Sequence, residues 1–426
     1  MGSDDPSTDR PGDDTATNGT TPTPTGTGPS GGTDAPGTGT PTDGTPGTGT
    51  PSPSLGTDVG TQIEGFEDLE YWYALSNQGS VTAASEGAYD GSQSLRLRAD
   101  GDDAFAGAFT SFGDPRDFSG KNVSLAVKIA KPELMKLSVA LLAPDTDNMV
   151  RMTRTFPGPV DTWVRSDMGT TAVRGDPDLT QVQEVRLVAR RRDQADEQID
   201  VTVDDLRVAD APDTGYVTLT FDDSHESHYE TAFPIMEEYG FAGVEGIISD
   251  AIYGGDRLDV GMMSEMSNAG WDMASHPYVG NTFLTEYSAE EQRRRITRNK
   301  EFLTQKGFDD GARHFLTPKN VVGPETMEIV ADEHESLYTF GGMPNGLPQT
   351  TGYYNSRITA ADTRPVRDAI DNAARFGQHL VLNCHAIGTG AGSLPEDDLR
   401  ALLEHIDGAD VEVVTCSDVL EMRSQD

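Results

Sequence analysis

The spacing of apolar residues changes twice along the chain and divides it into three segments. Residues 1–61 are almost wholly Thr, Gly, Pro, Ser and Asp. Because this composition cannot bury a hydrophobic core, we predict that residues 1–61 form a disordered, extended linker. Residues 62–211 alternate apolar and polar positions in short runs, whereas residues 215–426 combine short apolar runs with stretches of helical period.

The second segment has the pattern of a β-sandwich. Alternation with period two recurs in runs that Gly, Pro and Asp separate, at residues 94–98, 123–129, 137–142, 182–188 and 199–203. Such alternation buries one face of each strand. Many short strands without a stretch of helical period among them predict an antiparallel jelly roll over residues 62–211.

The third segment has the pattern of a parallel α/β fold. Residues 216–221 and 244–248 have the composition of buried strands, and residues 230–239 and 288–306 have helical periodicity. Ser288, followed by acidic residues, is a typical start of a helix. About seven strand–helix units follow one another, which predicts a barrel over residues 215–426.

Acids and histidines lie where the predicted barrel strands end. Asp222 and Asp223 follow the first strand, and His276 and His385 follow two later ones. The carboxyl ends of barrel strands meet on one face, so these side chains are expected to converge. One of two adjacent carboxylates can bind a metal while the other stays free as a base. An imidazole at His276 suits a metal, and one at His385 can protonate a leaving group.

Composition limits the partners and the surroundings of the chain. It has 71 acidic residues against 32 Lys and Arg, a formal net charge of -39. Nucleic acid and anionic lipid would be repelled, so neither is expected to bind. Because the acidic residues are dispersed, we interpret the surface as an adaptation to high salt. No run is long enough for a transmembrane helix, and no signal peptide is visible. The oligomeric state is left open.

Two further compositional features concern export and the cysteines. The hydroxyl-rich linker is typical of a stalk that holds an enzyme away from a surface, which predicts an extracellular or cell-surface protein. A passive soluble tail is the alternative. Cys384 and Cys416 both lie in apolar, strand-like runs. Buried thiols are therefore predicted, although the sequence does not decide against one disulfide between them.

Five motifs follow one another in the third segment: Thr-Phe-Asp-Asp at residues 220–223, Gly-Trp-Asp-Met-Ala-Ser-His at 270–276, Phe-Leu-Thr-Pro at 315–318, Leu-Val-Leu-Asn-Cys-His at 380–385, and the closing stretch 414–420. These motifs resemble those of the polysaccharide deacetylase family, also described as NodB-homology proteins or family-4 carbohydrate esterases. The resemblance implies a distorted (β/α)7 barrel that removes N- or O-acetyl groups from a polysaccharide.

The resemblance also assigns roles to residues. It implies that Asp222 is the general base, that Asp223 and His276 bind a divalent metal, taken as zinc, and that His385 is the general acid. Pro318 lies in the third motif and is expected to support the site. Arg357 resembles an Arg that some members have and would orient His385 or a carboxylate; a surface salt bridge is the alternative.

The motifs depart from the family pattern at the metal site. Family members normally have a second His four residues after the first, and Gly280 occupies that position. His225 is the candidate for the missing third ligand, with an ordinary loop residue as the alternative. The departure supports a second hypothesis, a metal-poor relative that binds glycan or serves at the cell surface with little catalysis. A glycoside hydrolase is disfavoured, since adjacent carboxylates cannot readily flank both faces of a glycosidic bond.

The second segment contains Gly-Phe-Glu at residues 65–67, Ala-Tyr-Asp-Gly-Ser-Gln-Ser-Leu at 88–95, Trp163 and Val-Asp-Asp-Leu-Arg-Val at 203–208. These stretches resemble those of jelly-roll carbohydrate-binding modules. The resemblance implies glycan binding and a structural calcium ion held by Glu67 together with Asp204 or Asp205. Carboxylate oxygens suit calcium, although solvated surface carboxylates are the alternative.

Overall fold

The computed structural model describes residues 59–192, 198–388, 390 and 392–423. The described residues form two all-β sheets followed by a closed parallel barrel. The linker predicted over residues 1–61 lies outside the described part except for its last three residues, and Thr61 already begins the first strand. None of the described helices is long and apolar enough to cross a membrane.

The N-terminal sheets confirm the predicted β-sandwich. One sheet has the order β3-β4-β12-β6-β9 with β1 paired to β12, and the other has the order β10-β8-β7-β11-β5-β2. In β11 the apolar side chains of Val185, Leu187 and Ala189 are buried in alternation, as the sequence period predicts. The strands are β1 (Thr61–Glu64), β2 (Tyr73–Ala74), β3 (Ser80–Ala84), β4 (Ser94–Ala99), β5 (Ala106–Arg116), β6 (Lys121–Lys131), β7 (Leu134–Leu142), β8 (Met149–Pro157), β9 (Trp163–Met168), β10 (Ala172–Arg174), β11 (Val182–Arg191) and β12 (Ile199–Asp210).

The C-terminal half confirms the predicted (β/α)7 barrel. Seven parallel strands follow the order β13-β14-β15-β16-β17-β19-β20, and the pairing of β20 with β13 closes the ring. Outside the ring, β21 pairs with β13 and β18 pairs antiparallel with β20. The strands are β13 (Gly215–Phe221), β14 (Val244–Ile247), β15 (Asp272–Ser275), β16 (His314–Leu316), β17 (Ser336–Phe340), β18 (Asn345–Gly346), β19 (Asn355–Thr359), β20 (Gln378–Cys384) and β21 (Val411–Val413).

Helices connect the barrel strands and begin where the sequence places helix starts. The Ser288 side chain accepts a hydrogen bond from the backbone N–H of Glu291 and caps the longest described helix. A π turn at His228–Ala232 leads into the first helix, which ends at Gly240 in the left-handed conformation. The helices are α1 (Phe233–Tyr239), α2 (Val260–Asn268), α3 (Ala289–Gln305), α4 (Pro324–Glu333), α5 (Arg364–Phe376), α6 (Glu396–Gly408) and α7 (Cys416–Arg423).

Polar groups join the sandwich to the barrel. The fully buried Arg154 of β8 donates hydrogen bonds to Ser166 and to the carbonyl oxygen of Tyr354 in the barrel. The Asp167 carboxylate of β9 accepts hydrogen bonds from the backbone N–H and the hydroxyl of Thr350, at 3.1 and 2.7 Å. Burial raises the pKa of Asp167 to about 6. The junction therefore places ionisable groups where solvent does not reach them.

The hydrophobic core also crosses this junction. Buried side chains of the sandwich, such as Leu137 and Phe156, and of the barrel, such as Phe315 and Tyr354, belong to one packed cluster. Phe156 and Tyr354 stack with ring centroids 6.0 Å apart. One buried cluster therefore spans both halves, and a second lies within the barrel; the sequence pattern did not predict the shared cluster.

The two cysteines match the predicted buried thiols. Cys384 ends β20 and Cys416 begins α7, and both are free and buried. Burial raises the pKa of each thiol well above its ordinary value. A protonated thiol away from solvent is a poor nucleophile and a poor metal ligand. We therefore assign both cysteines to packing.

Candidate active site

The end of β13 turns sharply and separates the two aspartates. The Asp222 N–H donates to the Cys384 carbonyl at 2.9 Å, so the ladder between β13 and β20 extends through Asp222, which is 3% exposed. Asp223 and Ser224 then adopt positive φ values of 78° and 57°, a region that residues other than glycine rarely enter. Ser224 fixes this turn by accepting a hydrogen bond from the N–H of Ile248 at 2.8 Å.

Arg357 holds the carboxylate of Asp222. Arg357 lies on β19, is 1% exposed and donates from Nη1 to Asp222 Oδ1 at 2.9 Å. Its other Nη donates to Asn320 Oδ1 at 2.8 Å, which fixes the guanidinium plane. Burial alone would raise the pKa of Asp222, but the charges of Arg357 and His276 outweigh it and hold the pKa below its ordinary value. Arg357 is therefore a buried partner of the carboxylate and not a surface salt bridge.

Asp223 and His276 form the pair of candidate metal ligands. His276 Nε2 lies 3.4 Å from Asp223 Oδ1. The Nδ1 atom of His276 is 2.8 Å from the carbonyl oxygen of Leu316, so Nδ1 carries a proton, and Nε2 is the nitrogen that faces Asp223. Metal-bound histidines commonly have such a carbonyl partner on the second nitrogen. Burial lowers the pKa of His276, but the negative charges of Asp222 and Asp223 outweigh burial and raise that pKa, so Nε2 can take a proton when no metal is bound.

Among the described residues, none is brought to this pair as a third protein ligand. His225 Nδ1 accepts a hydrogen bond from Arg257, and burial together with that cation lowers the pKa of His225 to about 4. Gly280 lines the same cleft without a side chain. Within residues 59–423, as far as they are described, no three His, Cys, Asp or Glu side chains could hold a metal ion together. The donors fit a divalent cation with two protein ligands, one fewer than a typical catalytic zinc site.

The candidate residues share one cleft. It has a volume of about 330 Å³ and is lined by Asp222, Asp223, His276, Pro318 and His385, among others. The side chain of His385 is exposed to this cleft just after the end of β20. The arrangement therefore places a buried carboxylate held by a cation, a two-donor metal site and an accessible imidazole around one cavity.

Two residues behind the cleft were not identified as site residues from the sequence. His228 is fully buried, with Nδ1 2.9 Å from Glu245 Oε1. The Nε2 atom of His228 lies 3.1 Å from the carbonyl oxygen of His385. Glu245, in the middle of the buried strand β14, was not singled out. An acidic residue inside an apolar strand was the available sign, since buried charges require a partner.

The calcium candidates of the sandwich are occupied by protein donors. Glu67 accepts hydrogen bonds from the backbone and hydroxyl of Ser92. The buried Asp204 accepts bonds from Ser94 and from the backbone N–H groups of Tyr89 and Asp90. Asp205 forms a buried ion pair with a neighbouring arginine. The calcium site stays a prediction without support from these contacts.

An α/β barrel whose acids and histidines meet at the carboxyl ends of its strands has the arrangement of a barrel enzyme. Residues 209–333 match the model of the polysaccharide deacetylase family. This segment belongs to that family, and the chain carries a hydrolase domain of the class that cleaves acetyl amide or ester bonds of polysaccharides. No curated protein matches the chain.

Solved structures resemble each half of the chain. A peptidoglycan deacetylase, PdaC from Bacillus subtilis, is 13% identical, with 50% of this chain and 93% of that chain covered and a TM-score of 0.36. A family 4 acetyl xylan esterase from Clostridium thermocellum, in complex with a cobalt ion, is 14% identical, with 49% and 92% covered and a TM-score of 0.35. A family 11 carbohydrate-binding module of a Clostridium thermocellum cellulase is 13% identical, with 36% and 95% covered and a TM-score of 0.28. Similarity at this level says nothing about the substrate.

Proposed function

We propose that the chain deacetylates a polysaccharide in a reaction that depends on a divalent metal, taken as zinc. The observation that carries this proposal is the convergence of three groups in one cleft of a deacetylase domain. They are the Asp222–Arg357 pair, the Asp223–His276 pair and the accessible His385. Together they offer a base, a metal site and an acid on one side of the barrel.

The chain's own residues suit general acid–base hydrolysis of an acetyl group. Asp222 stays ionised because Arg357 lowers its pKa, so its free oxygen can take a proton from the attacking water. His385 reaches the cleft from another strand and can protonate the departing sugar amine or alcohol. A divalent cation held by Asp223 and His276 would supply Lewis-acid polarisation of the acetyl carbonyl. When His276 is neutral, its Nδ1–H is held by the carbonyl of Leu316, which leaves the Nε2 lone pair for that cation.

The missing third ligand favours a second candidate function. A metal site with only two protein donors in the described part of the chain could bind metal weakly, and the protein would then act as a glycan-binding or cell-surface protein with little turnover. The two functions differ in acetate release. Zinc content and acetate release from acetylated chitooligosaccharide and acetylated xylan should be measured for the wild type, for Asp222→Asn and after chelation. Bound zinc and turnover lost in Asp222→Asn support the deacetylase. Metal-free protein that releases no acetate supports the second candidate.

We further propose that the protein works at the cell surface or outside the cell, in concentrated salt. The net charge of -39 supports the adaptation to salt, because self-repulsion of a compact acidic protein weakens as salt screens it. The stalk-like composition of residues 1–61 supports the location. Thermal unfolding in dilute buffer and in molar NaCl tests the salt dependence. If the melting temperature is equal in both buffers and activity is kept in dilute buffer, the proposed adaptation to salt is wrong. Fractionation of the source cells tests the location.

A further inference from the structure

A buried pair of ionisable side chains lies directly behind the cleft. The side chains of His228 and Glu245 are both fully buried, and their nearest N and O atoms are 2.9 Å apart. Burying two ionisable groups costs several kcal/mol each before they attract one another. Apolar residues of similar volume would fill such a space without that cost. The position of the pair therefore calls for a reason other than stability.

The His228 ring is held on both nitrogens. Its Nδ1 faces the Glu245 carboxylate, and its Nε2–H donates to the carbonyl oxygen of His385 at 3.1 Å. Phe221 packs against the ring with centroids 5.3 Å apart. The proton shared by Glu245 and His228 can lie on the carboxyl group or on Nδ1, and in both states Nε2 of His228 keeps its hydrogen. Glu245 thus selects the form of His228 that can donate to His385.

The segment that carries His385 is fixed through its backbone. The carbonyl of Cys384 accepts a bond from the N–H of Asp222 at 2.9 Å, and the N–H of Ile387 donates to the Ser227 hydroxyl at 3.0 Å. Between these two points, His228 holds the peptide of His385 itself. Among the residues that the structure describes, none forms a hydrogen bond with the His385 imidazole. The hydrogen bonds of the backbone around His385 therefore determine where its side chain lies.

We propose that His228 is a positioning residue that fixes the peptide of His385, with Glu245 as the group that orients the His228 ring. This inference rests on the proposed function, in which His385 protonates the leaving group. A displacement of about 1 Å of a catalytic group can cost about 100-fold in rate. The pair therefore acts on turnover through His385 and does not touch the substrate.

Two amide substitutions separate positioning from packing. In His228→Gln, the amide reaches the place of Nε2 and can still donate to the His385 carbonyl. In His228→Asn, the shorter amide reaches Glu245 and not His385. We expect His228→Asn to lower kcat about 10- to 100-fold with KM nearly unchanged, and His228→Gln to keep kcat within about threefold of the wild type. Melting temperatures of both variants control for folding.

The double variant gives a second readout. In the His385→Ala background, His228→Asn should cause no further loss of kcat, because the positioned group is absent. The imidazole resonances of His385 should shift in His228→Asn and stay in place in His228→Gln, whatever the turnover. Equal kcat losses in Gln and Asn variants, or wild-type resonances in the Asn variant, would overturn the positioning role. A wild type that releases no acetate overturns the proposed function, and the resonances then still decide on His228.

Discussion

Replacing Arg357 by methionine tests the buried pair at the centre of the site. The two side chains are 1% and 4% exposed and meet at 2.9 Å, so the variant leaves a carboxylate in the interior without its cation. Removing one partner of a buried ion pair costs about 3–5 kcal/mol. Total stability of a folded protein is about 5–15 kcal/mol, so the variant should still fold. Urea unfolding at neutral pH measures the loss.

The same variant should change the pH profile of activity. In the wild type, Arg357 helps to hold the pKa of Asp222 below its ordinary value, so the base is ionised well into the acidic range. Without the cation, burial dominates and raises the pKa. The acidic limb of kcat/KM against pH should therefore move to higher pH, and activity should be lost first on the acidic side.

An exposed pair on the same barrel provides the control. Arg367 pairs with Asp362, and their side chains are 41% and 24% exposed. Pairs of this kind contribute about 0.2–1 kcal/mol, so Arg367→Met should lose less than about 1 kcal/mol and keep the pH profile. Equal losses in Arg357→Met and Arg367→Met, or an unshifted acidic limb in Arg357→Met, would refute the assignment of Arg357 to the base.

Two further variants test the junction and the metal site. The folded-state pKa of Asp167, about 6, lies above its unfolded value of about 3.9, so protonation favours the folded state as pH falls between them. Asp167→Asn should remove about 3 kcal/mol of this pH dependence in unfolding experiments between about pH 8 and pH 4, and an unchanged slope would contradict it. In Gly280→His, a Cβ meets nothing closer than 3.8 Å, although φ is +60°. Calorimetry should show zinc affinity raised about tenfold or more at a cost of about 1–3 kcal/mol in stability, and an unchanged affinity would exclude a third ligand from this position.

The spacing of apolar residues predicted the individual strands and helices, because these elements depend on local sequence. The alternation in residues 182–188 and the helical period after Ser288 appear as β11 and α3, because burial of one face fixes both periods. The rim positions of Asp222, His276 and His385 followed from strand ends, since parallel strands bring those ends together. The motif resemblance then supplied the roles that the pattern alone left open.

The partners of contacts that depend on the closed barrel could not be identified from the sequence pattern; the family resemblance suggested a carboxylate partner for Arg357 but did not say which one. Arg357 and Asp222 are 135 residues apart and meet only because β19 and β13 lie on either side of β20. The contact between His228 and Glu245 likewise forms only because the π turn that begins at His228 lies next to β14. The cluster shared by the two halves could not be predicted for the same reason. An apolar residue in the sequence predicts burial, but it does not indicate which part of the molecule packs against it.

The joined core of sandwich and barrel has a consequence for polymer substrates. Modules on a flexible tether hold a bound chain near an enzyme at an effective concentration that the tether length sets. Here the buried contacts of Arg154 and Asp167 replace a tether by a fixed orientation. If a glycan bound to the sandwich, it would be held in a fixed orientation relative to the barrel. The distance between successive deacetylated sugars on the polymer would then depend on the fixed distance between sandwich and cleft, and not on the length of a flexible linker.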